Sequence, residues 1–283
     1  MTFCAGIDVG STYTKAVITG EDHTVRGQAL THTGFKLAEV SRKVYEAALE
    51  NAGLREADIS YIVATGFGRH LVSFSDAQVT DLTAGARGAS FLFPLTRTLL
   101  DIGGQTMKAT RIDETARVKS FRLNDKCAAG TGAFLEKTAR YMGYSTPEIG
   151  PLVATSKHAV PISGVCAVFA ESEVINQLSM GSAPADIMHG AVASLVDRSV
   201  QLMKRVQMEP EFTLIGGILR FQTMARVARE QLKAEVNVPP EHLVQFVNAL
   251  GAAILARRRW QKLNAAAESA GSAQSPHTAE QAR

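Results

Sequence analysis

The sequence feature that most limits the possible folds is a short pattern that occurs twice, 93 residues apart. In each copy an apolar stretch ends in Asp-aliphatic-Gly, a polar turn follows, and a second apolar stretch leads away, which is typical of a β-hairpin. The shift superimposes Asp8 on Asp101, Val9 on Ile102, Gly10 on Gly103, Lys15 on Lys108 and Ala16 on Ala109. Two duplicated lobes across a cleft would place the two aspartates on opposite sides of one ligand. Two unrelated hairpins would produce the same pattern, because glycine-rich turns after strands are frequent.

The remaining apolar patterns predict an alternation of strands and helices, and therefore an α/β fold in two lobes. Strands are predicted over residues 4–8, 15–19, 59–64, 99–102 and 212–215, and helices over residues 37–52 and from about residue 244. We assign residues 1–96 and a closing helix over 244–263 to the first lobe, and residues 97–243 to the second. Residues 264–283 are rich in Ala, Ser, Gln and Glu without apolar periodicity, which predicts a disordered tail.

Charge and composition exclude several classes of protein. The net charge of +3, from 30 basic and 27 acidic residues, is too small and too evenly distributed to indicate nucleic-acid binding. No apolar run is long enough to predict a membrane-spanning helix. The N-terminal segment has no basic region before its strand pattern, and three cysteines cannot form a complete disulfide framework. We therefore expect a cytoplasmic globular protein whose thiols are reduced or metal-bound.

The first hairpin turn has the composition of an anion-binding loop. Small residues stand where bulky ones would block the approach, so backbone N–H groups and hydroxyls can reach a phosphate. The candidate binding residues are Ser11, Thr12, Tyr13, Thr14 and Lys15 in this turn, with Gly103 and Gly104 in the equivalent second turn. A Walker A motif is absent from the sequence, so this cradle differs from a P-loop.

Three polar side chains and a third glycine turn complete a candidate site for nucleotide hydrolysis. Asp8 and Asp101, at strand ends, suit Mg²⁺ held through water. Gln105 has both the donor and the acceptor that are needed to orient an attacking water. Gly216 and Gly217 follow another apolar strand, so the backbone there can lie flat against a base or ribose.

Two of the three cysteines precede predicted helices. Cys127 and Cys166 are each followed by an apolar helical pattern, whereas Cys4 lies in the first strand and is expected to be a core thiol. A helix N-terminus lowers the pKa of a thiol, and the same dipole favours a bound anionic iron–sulfur cluster. A 4Fe-4S cluster commonly takes four thiolates, so two per chain would imply a cluster shared by two subunits. From spacing alone, both cysteines can also be ordinary small buried residues.

The order of the glycine motifs resembles that of a known ATPase superfamily. The segments GIDVGSTYTKAVI from residue 6, LLDIGGQTMKATRI from residue 99 and FTLIGGILRF from residue 212 are similar to its phosphate-1, phosphate-2 and adenosine motifs. NALGAAILA from residue 248 resembles its closing helix. The superfamily comprises acetate and sugar kinases, Hsp70 and actin. The resemblance implies a duplicated ribonuclease-H-like fold that binds ATP and Mg²⁺ between its lobes.

The cysteine segments narrow the resemblance to one family. NDKCAAGTGAFLE around Cys127 and SGVCAVFAESEVI around Cys166 are similar to the cluster-ligand segments of the BadF/BadG/BcrA/BcrD ATPase family, over about residues 5–256. That family comprises activators of 2-hydroxyacyl-CoA dehydratases and ATPase subunits of class I benzoyl-CoA reductase. The resemblance implies an ATP-driven electron injector. A second homologous ATPase subunit would complete the 4Fe-4S cluster, and reduced ferredoxin would be the electron donor.

Departures from the activator pattern favour the reductase within this family. Thr106 stands where the activators resemble GGQDSK or GGQDVK, with an acid at that place, and Leu219 and Phe221 stand where small and amide residues are expected. We therefore expect the smaller ATPase subunit of benzoyl-CoA reductase, with two catalytic benzoyl-CoA-binding iron–sulfur subunits as partners. One alternative is an activator of a 2-hydroxyacyl-CoA dehydratase. Others are a sugar-kinase-like phosphotransferase, for which no acceptor base is found, and a non-enzymatic nucleotide sensor or scaffold.

Overall fold

Two five-stranded sheets form the framework of the protein. The structure is a computed structural model and describes residues 2–124, 131–162 and 167–272. The strands of the first sheet are β1 (Phe3–Val9), β2 (Tyr13–Thr19), β3 (Val25–His32), β4 (Ile59–Thr65) and β5 (Ala77–Gln78). The strands of the second sheet are β6 (Thr98–Ile102), β7 (Met107–Ile112), β8 (Val118–Asn124), β9 (Phe212–Ile215) and β10 (Val236–Asn237).

Helices connect and cover these strands. They are α1 (Leu37–Ala52), α2 (Asp81–Leu92), α3 (Gly132–Tyr141), α4 (Ile149–Ala154), α5 (Ala167–Ser179), α6 (Pro184–Lys204), α7 (Gln222–Leu232) and α8 (Val247–Ser272). Within the described ranges, no helix combines the length and the apolar character that a membrane span requires.

Both sheets have the same strand order. The first runs β3-β2-β1-β4-β5 and the second runs β8-β7-β6-β9-β10. Asp8 lies opposite Lys15 in the β1–β2 pair, and Asp101 lies opposite Lys108 in the β6–β7 pair. The equal order and register confirm the duplication that the repeated pattern predicts. The architecture is the two-lobed α/β fold of acetate and sugar kinases, Hsp70 and actin.

One face of each sheet is covered by the helices of its own lobe. On β1, Ile7 and Val9 point into a cluster with Tyr45 of α1. On β6, Leu100 shares the large core of the second lobe with Leu195 of α6. Because side chains alternate along a strand, the opposite face of each sheet remains available for other helices.

The helices α2 and α8 cover those remaining faces and therefore lie between the lobes. Ala84 of α2 and Ala252 of α8 share a buried cluster with Val63 of the first sheet. Ala89 of α2 and Val247 of α8 share another with residues of β6 and β9 in the second sheet. The two lobes are thus packed against one common pair of helices.

Glycines allow this pair of helices to approach each other closely. A Cβ atom on Gly251 of α8 would overlap the carbonyl oxygen of Ala84, and one on Gly88 of α2 would overlap the carbonyl oxygen of Val247. Neither backbone carbonyl can move without displacing its helix. The distance between α2 and α8 therefore depends on the absence of side chains at these two positions.

The C-terminal segment differs from the prediction. The closing helix α8 begins at Val247 and continues to Ser272, so residues 264–272, which the composition predicts to be disordered, are helical. The side chains of residues 264–269 are exposed. Residues 265–267 are alanines, and alanine has the highest helix propensity, so local preference extends the helix beyond its packed part. The rest of the predicted tail, residues 273–283, lies outside the described residues.

We expect Gly251→Ala to destabilise the protein by about 3 kcal/mol, although alanine is the better helix former by about 1 kcal/mol. The added methyl group has no space against the Ala84 carbonyl, so the two helices must separate. Thermal unfolding measures the loss. Gly20→Ala is the control, because a Cβ there meets only the flexible ends of the Arg26 and Asp22 side chains. A Gly251→Ala protein as stable as the wild type would show that this contact does not set the helix distance.

Candidate functional site

A cleft of about 790 Å³ opens between the lobes. The turns after β1 and β6 line it, together with the residues after β9 and the first residues of α2 and α8. The predicted site residues that line the cleft are Asp8, Ser11, Thr12, Tyr13, Lys15, Asp101, Gly103, Gly104, Gln105, Gly216 and Gly217. Three segments that are far apart in sequence therefore meet around one cavity.

Thr14 is the predicted binding residue that does not reach the cleft. Strand alternation turns it away from Tyr13 and Lys15, and it is fully buried. Its hydroxyl shares a 2.9 Å hydrogen bond with the hydroxyl of Thr33, which donates to the Gly10 carbonyl at 2.8 Å. The side chain of Thr14 is therefore not available to a ligand in the cleft and instead fixes the base of the turn.

The two duplicated turns are closed by the same hydrogen bond. The N–H of Gly10 donates to the Tyr13 carbonyl at 3.2 Å, and the N–H of Gly103 donates to the Thr106 carbonyl at 2.8 Å. The duplication therefore extends from the strand register to the backbone of the loops.

The two turns also contact each other across the cleft. A Cβ atom on Gly104 would overlap the hydroxyl of Thr12, so the second turn depends on glycine at this point. The neighbouring Gln105 is exposed and lines the cleft. Its amide is thus accessible to a ligand held between the turns.

The duplicated aspartates are held differently. Asp8 is buried, and its Oδ2 accepts a hydrogen bond from Lys15 Nζ at 2.9 Å. Asp101 Oδ2 instead accepts a hydrogen bond from Asn248 Nδ2 of α8 at 3.1 Å. Burial raises the pKa of Asp101, and the nearby Lys108 charge and the Asn248 hydrogen bond offset this only in part. The first carboxylate thus has a direct countercharge, whereas the direct partner of the second is an uncharged amide.

Lys108 forms its ion pair with α2 rather than with its strand neighbour Asp101. Its Nζ lies 2.6 Å from Oδ2 of Asp81, the first residue of α2. Burial lowers the pKa of Lys108, but the carboxylates of Asp101 and Asp81 outweigh this effect, so the pKa is raised. The ammonium group therefore stays charged and links the second sheet to the interlobe helix at the cleft.

Asp81 and Asn248 are not predicted as site residues from the sequence, although both contact charged groups of the cleft. A signal for Asp81 is present, because Thr80 caps α2 by accepting a hydrogen bond from the Thr83 N–H at 3.2 Å. A Thr-Asp pair at a helix start is a recognisable pattern. Asn248 opens the segment NALGAAILA, but nothing local indicates that its amide faces Asp101.

The turn after β9 forms another part of the cleft wall, next to the end of β6. Gly216 has a φ of 110°, and a Cβ there would overlap the carbonyl oxygen of Ile102. Its N–H donates to the Val244 carbonyl at 3.2 Å. A Cβ on Gly217 would lie 2.9 Å from Nε2 of Gln245. This part of the wall therefore consists of glycine backbone without side chains, next to the side-chain amide of Gln245.

Cys127 and Cys166 both lie outside the described residues, but the helices that follow them are adjacent. Lys137 Nζ of α3 lies 2.7 Å from Oε2 of Glu171 of α5, and the Tyr141 hydroxyl lies 3.4 Å from the same oxygen. The helices that follow the two cysteine segments therefore contact each other through these side chains. Both helix N-termini carry partial positive charge.

The start of α3 is hydrogen-bonded directly to the second turn. The N–H of Gly132 donates to the Gly103 carbonyl at 3.0 Å, and the N–H of Ala133 donates to the Gly104 carbonyl at 2.8 Å. A displacement of this turn is therefore transmitted without an intermediary to the helix that follows Cys127.

Cys4 is buried on β1. Burial raises the pKa of its thiol to about 11, so it is un-ionised at neutral pH, as expected of a core thiol. Considering only residues that the structure describes, no group of three or more His, Cys, Asp and Glu side chains is arranged to hold a metal ion.

We expect Asp101→Asn to raise the melting temperature at neutral pH. Burial raises the pKa of Asp101, so the native state binds the proton more tightly than the unfolded chain. That contribution is complete below the ordinary carboxyl pKa and is lost as the pH rises through the raised value. An uncharged asparagine avoids this loss, and its amide can donate to the buried Oδ1 of Asn248, which has no partner. Thermal unfolding from about pH 4 to about pH 8 should show a gain that grows with pH.

The matched variant Asp8→Asn should behave oppositely, because it leaves Lys15 without its countercharge. We expect a loss of about 3 kcal/mol for removing one member of this buried pair. Equal changes in melting temperature for both variants would contradict the different environments of the two carboxylates.

Comparison with known proteins agrees with this geometry. Residues 5–256 match the family model described as "BadF/BadG/BcrA/BcrD ATPase family". The activator of lactoyl-CoA dehydratase from Anaerotignum propionicum is 40% identical over 260 residues, covering 92% of this chain and 99% of the relative. A benzoyl-CoA reductase subunit from Thauera aromatica is 35% identical over 277 residues, covering 93% of this chain and 96% of that relative.

A solved structure shares the fold over nearly the same length. The crystal structure of (R)-2-hydroxyglutaryl-CoA dehydratase component A from Acidaminococcus fermentans has a TM-score of 0.88 at 35% identity. The alignment covers 92% of this chain and all of that one. The match of the family model, the relatives and the cleft together show that this chain is a member of the BadF/BadG/BcrA/BcrD ATPase family.

Proposed function

We propose that this chain is an ATP-hydrolysing activator that delivers electrons to a 2-hydroxyacyl-CoA dehydratase. Its similarity to the lactoyl-CoA dehydratase activator is greater than its similarity to the benzoyl-CoA reductase subunit, at 40% against 35% identity. The comparisons therefore support the activator alternative better than the reductase subunit that the sequence motifs favour.

One observation carries the proposal: the hydrogen bonds from Gly132 and Ala133 to the turn at Gly103 and Gly104. A phosphotransferase needs its phosphate-binding turn only to hold the nucleotide. Here the same turn is bonded to the start of α3, immediately after the segment of Cys127. Closing and opening of the cleft during ATP turnover would thus move the cysteine segment, provided that ATP and ADP favour different conformations.

The residues of the cleft have complementary parts in ATP hydrolysis. Asp8 and Asp101 lie at the ends of equivalent strands, where they can hold Mg²⁺ through its waters. The turn from Ser11 to Lys15 supplies backbone N–H groups, hydroxyls and an ammonium group for the phosphates. The side chain of Thr14 does not face the cleft and only holds the base of this turn. Gln105 lies exposed within the second turn, where it can orient a water, and the turn at Gly216 supports the adenosine.

Cys127 and Cys166 would supply two thiolates to a 4Fe-4S cluster, and a second ATPase subunit would supply the other two. When bound, the cluster provides one-electron transfer at low potential. The chain's own contribution would be two helices, α3 and α5, which begin after the cysteine segments with partial positive charge at their N-termini and are held together through Lys137 and Glu171. Reduced ferredoxin would be the electron donor.

The benzoyl-CoA reductase subunit remains a second candidate, because Thr106 departs from the activator motif. The other departures carry less weight in the structure. Leu219 and Phe221 are both buried in the core of the second lobe, so their identities reflect packing at least in part. In this case the partners would be two catalytic benzoyl-CoA-binding iron–sulfur subunits.

We expect Cys127→Ser and Cys166→Ser each to lose protein-bound iron, because each removes one of the two thiolates that the chain contributes. Iron and acid-labile sulfide, measured after anaerobic reconstitution, report this directly. Cys4→Ser is the control and should keep its iron, since its thiol is buried and un-ionised. If iron survives the loss of both Cys127 and Cys166, the cluster is bound elsewhere.

The coupling between the two sites can be broken by Gly132→Pro. Thr131 is extended, with φ −137° and ψ 166°, which suits a residue before proline, and proline is favoured at the first helical position. The variant removes the N–H that donates to Gly103 and puts the proline Cδ in its place, so the start of α3 must move away from the Gly103 carbonyl. We expect ATP hydrolysis to continue while ATP-dependent electron delivery falls at least about tenfold, since the helix no longer follows the turn.

Gly132→Ala is the matched control, because it keeps the N–H and its Cβ would lie 3.4 Å from its nearest neighbours. Both variants are assayed anaerobically for phosphate release and for dehydration by the dehydratase that co-purifies with the wild type. If benzoyl-CoA reductase subunits co-purify instead of a dehydratase, the activator function is wrong and the chain is a subunit of that reductase. Transfer of the γ-phosphate to a small-molecule acceptor would refute electron delivery altogether.

A further inference from the structure

β8 is an edge strand with one open side. It pairs with β7, and no strand among the described residues pairs with its other edge. The duplication offers an internal comparison, because β3 occupies the equivalent edge of the first sheet. There the strand lies tightly against α1: a Cβ on Gly27 would overlap the carbonyl oxygen of Ala48. Of these two edge strands, only β8 exposes large apolar side chains.

The exposed side chains of β8 are both apolar and basic. Phe121 exposes 44% of its surface, and Leu123, which also lines the cleft, exposes 43%. Lys119 and Arg122 within the strand, and Arg117 directly before it, are also exposed. None of the three forms an ion pair with an acidic residue in the part of the chain that the structure describes. Residues 117–123 therefore present three positive charges and no negative one.

Such a surface fits a transient acidic partner. Exposed apolar groups ringed by polar ones mark protein interaction sites, and unpaired basic groups steer an acidic protein toward them. A single seven-residue strand offers a small contact area. Small charged contacts are typical of electron-transfer encounters, whereas permanent subunit interfaces are larger and more apolar.

We propose that β8 is the docking surface for the acidic protein that donates electrons to this chain. The proposal rests on the proposed function, because it assumes an electron acceptor at Cys127 and Cys166. Asn124 ends β8, and Cys127 follows it by three positions, so a protein docked on the strand lies beside the cysteine segment. One electron leaves the donor and is taken up by the cluster; no bond forms or breaks, and no atom is transferred.

The test uses an acidic ferredoxin as probe and the double variant Lys119→Glu/Arg122→Glu of the cluster-loaded protein. We expect its affinity for ferredoxin at low salt, and the rate at which reduced ferredoxin reduces it, to fall at least about tenfold. Reduction by titanium(III) citrate, which needs no docking surface, should stay unchanged. Phe121→Ala should weaken ferredoxin binding without altering its dependence on salt, because it removes no charge.

The matched control is Lys43→Glu/Lys262→Glu, which makes the same charge change at exposed positions of α1 and α8. It should bind ferredoxin as the wild type does. Equal losses of ferredoxin affinity in both double variants would show that only the net charge of the protein matters, which would overturn the proposal. Undiminished binding by the β8 variant would also overturn it. A β8 variant that no longer associates with its second ATPase subunit would also overturn it, since the strand would then be a subunit interface.

Failure of the proposed function is distinguishable from failure of the docking surface. Iron content and ATP hydrolysis are measured on the wild type alone. If these are absent, the proposed function fails regardless of β8. If they are present and the β8 variant binds ferredoxin normally, only the docking surface is wrong.

Discussion

The close contact between α2 and α8 is the constraint on which the rest of the structure depends. Both sheets pack against this pair of helices, so its spacing sets the position of one lobe relative to the other. The spacing in turn requires glycine at residues 88 and 251, where any side chain would meet a backbone carbonyl. The same two helices also supply Asp81 and Asn248 to the cleft, so the helix pair both separates the lobes and completes the site.

Duplication produces two similar hairpins, and tertiary packing makes them different. The strand register places a lysine opposite an aspartate in each. In the first lobe the two side chains form an ion pair. In the second lobe, Lys108 instead forms its ion pair with Asp81 of α2, and Asp101 accepts a hydrogen bond from Asn248 of α8. The pKa of Asp101 is therefore raised by burial, and the cleft acquires one carboxylate without a direct countercharge, which suits the binding of a cation.

The sequence predicts the strands and turns of the site well because their signals are local. The apolar stretches around Asp8 and Asp101 and the glycines that follow them define the hairpins without reference to the rest of the chain. The helix α2 has no comparable signal, since its buried residues are mainly alanine and glycine and give a weak apolar periodicity. Without this helix, Asp81 has no predicted place in the site. The end of α8 is not predicted either, because its polar composition indicates disorder although its alanines favour a helix.

By itself, the sequence determined the duplicated α/β architecture, the glycine turns of the cleft and membership of an ATPase family, because each depends on short contiguous motifs. Only the tertiary structure decided that the Thr14 side chain holds the base of the first turn and that Lys108 forms an ion pair with Asp81 of α2. It also decided that the second turn is hydrogen-bonded to the start of α3. These outcomes depend on which of several nearby partners a side chain or backbone group meets. That choice is made by the packing of segments distant in sequence, and no local pattern encodes it.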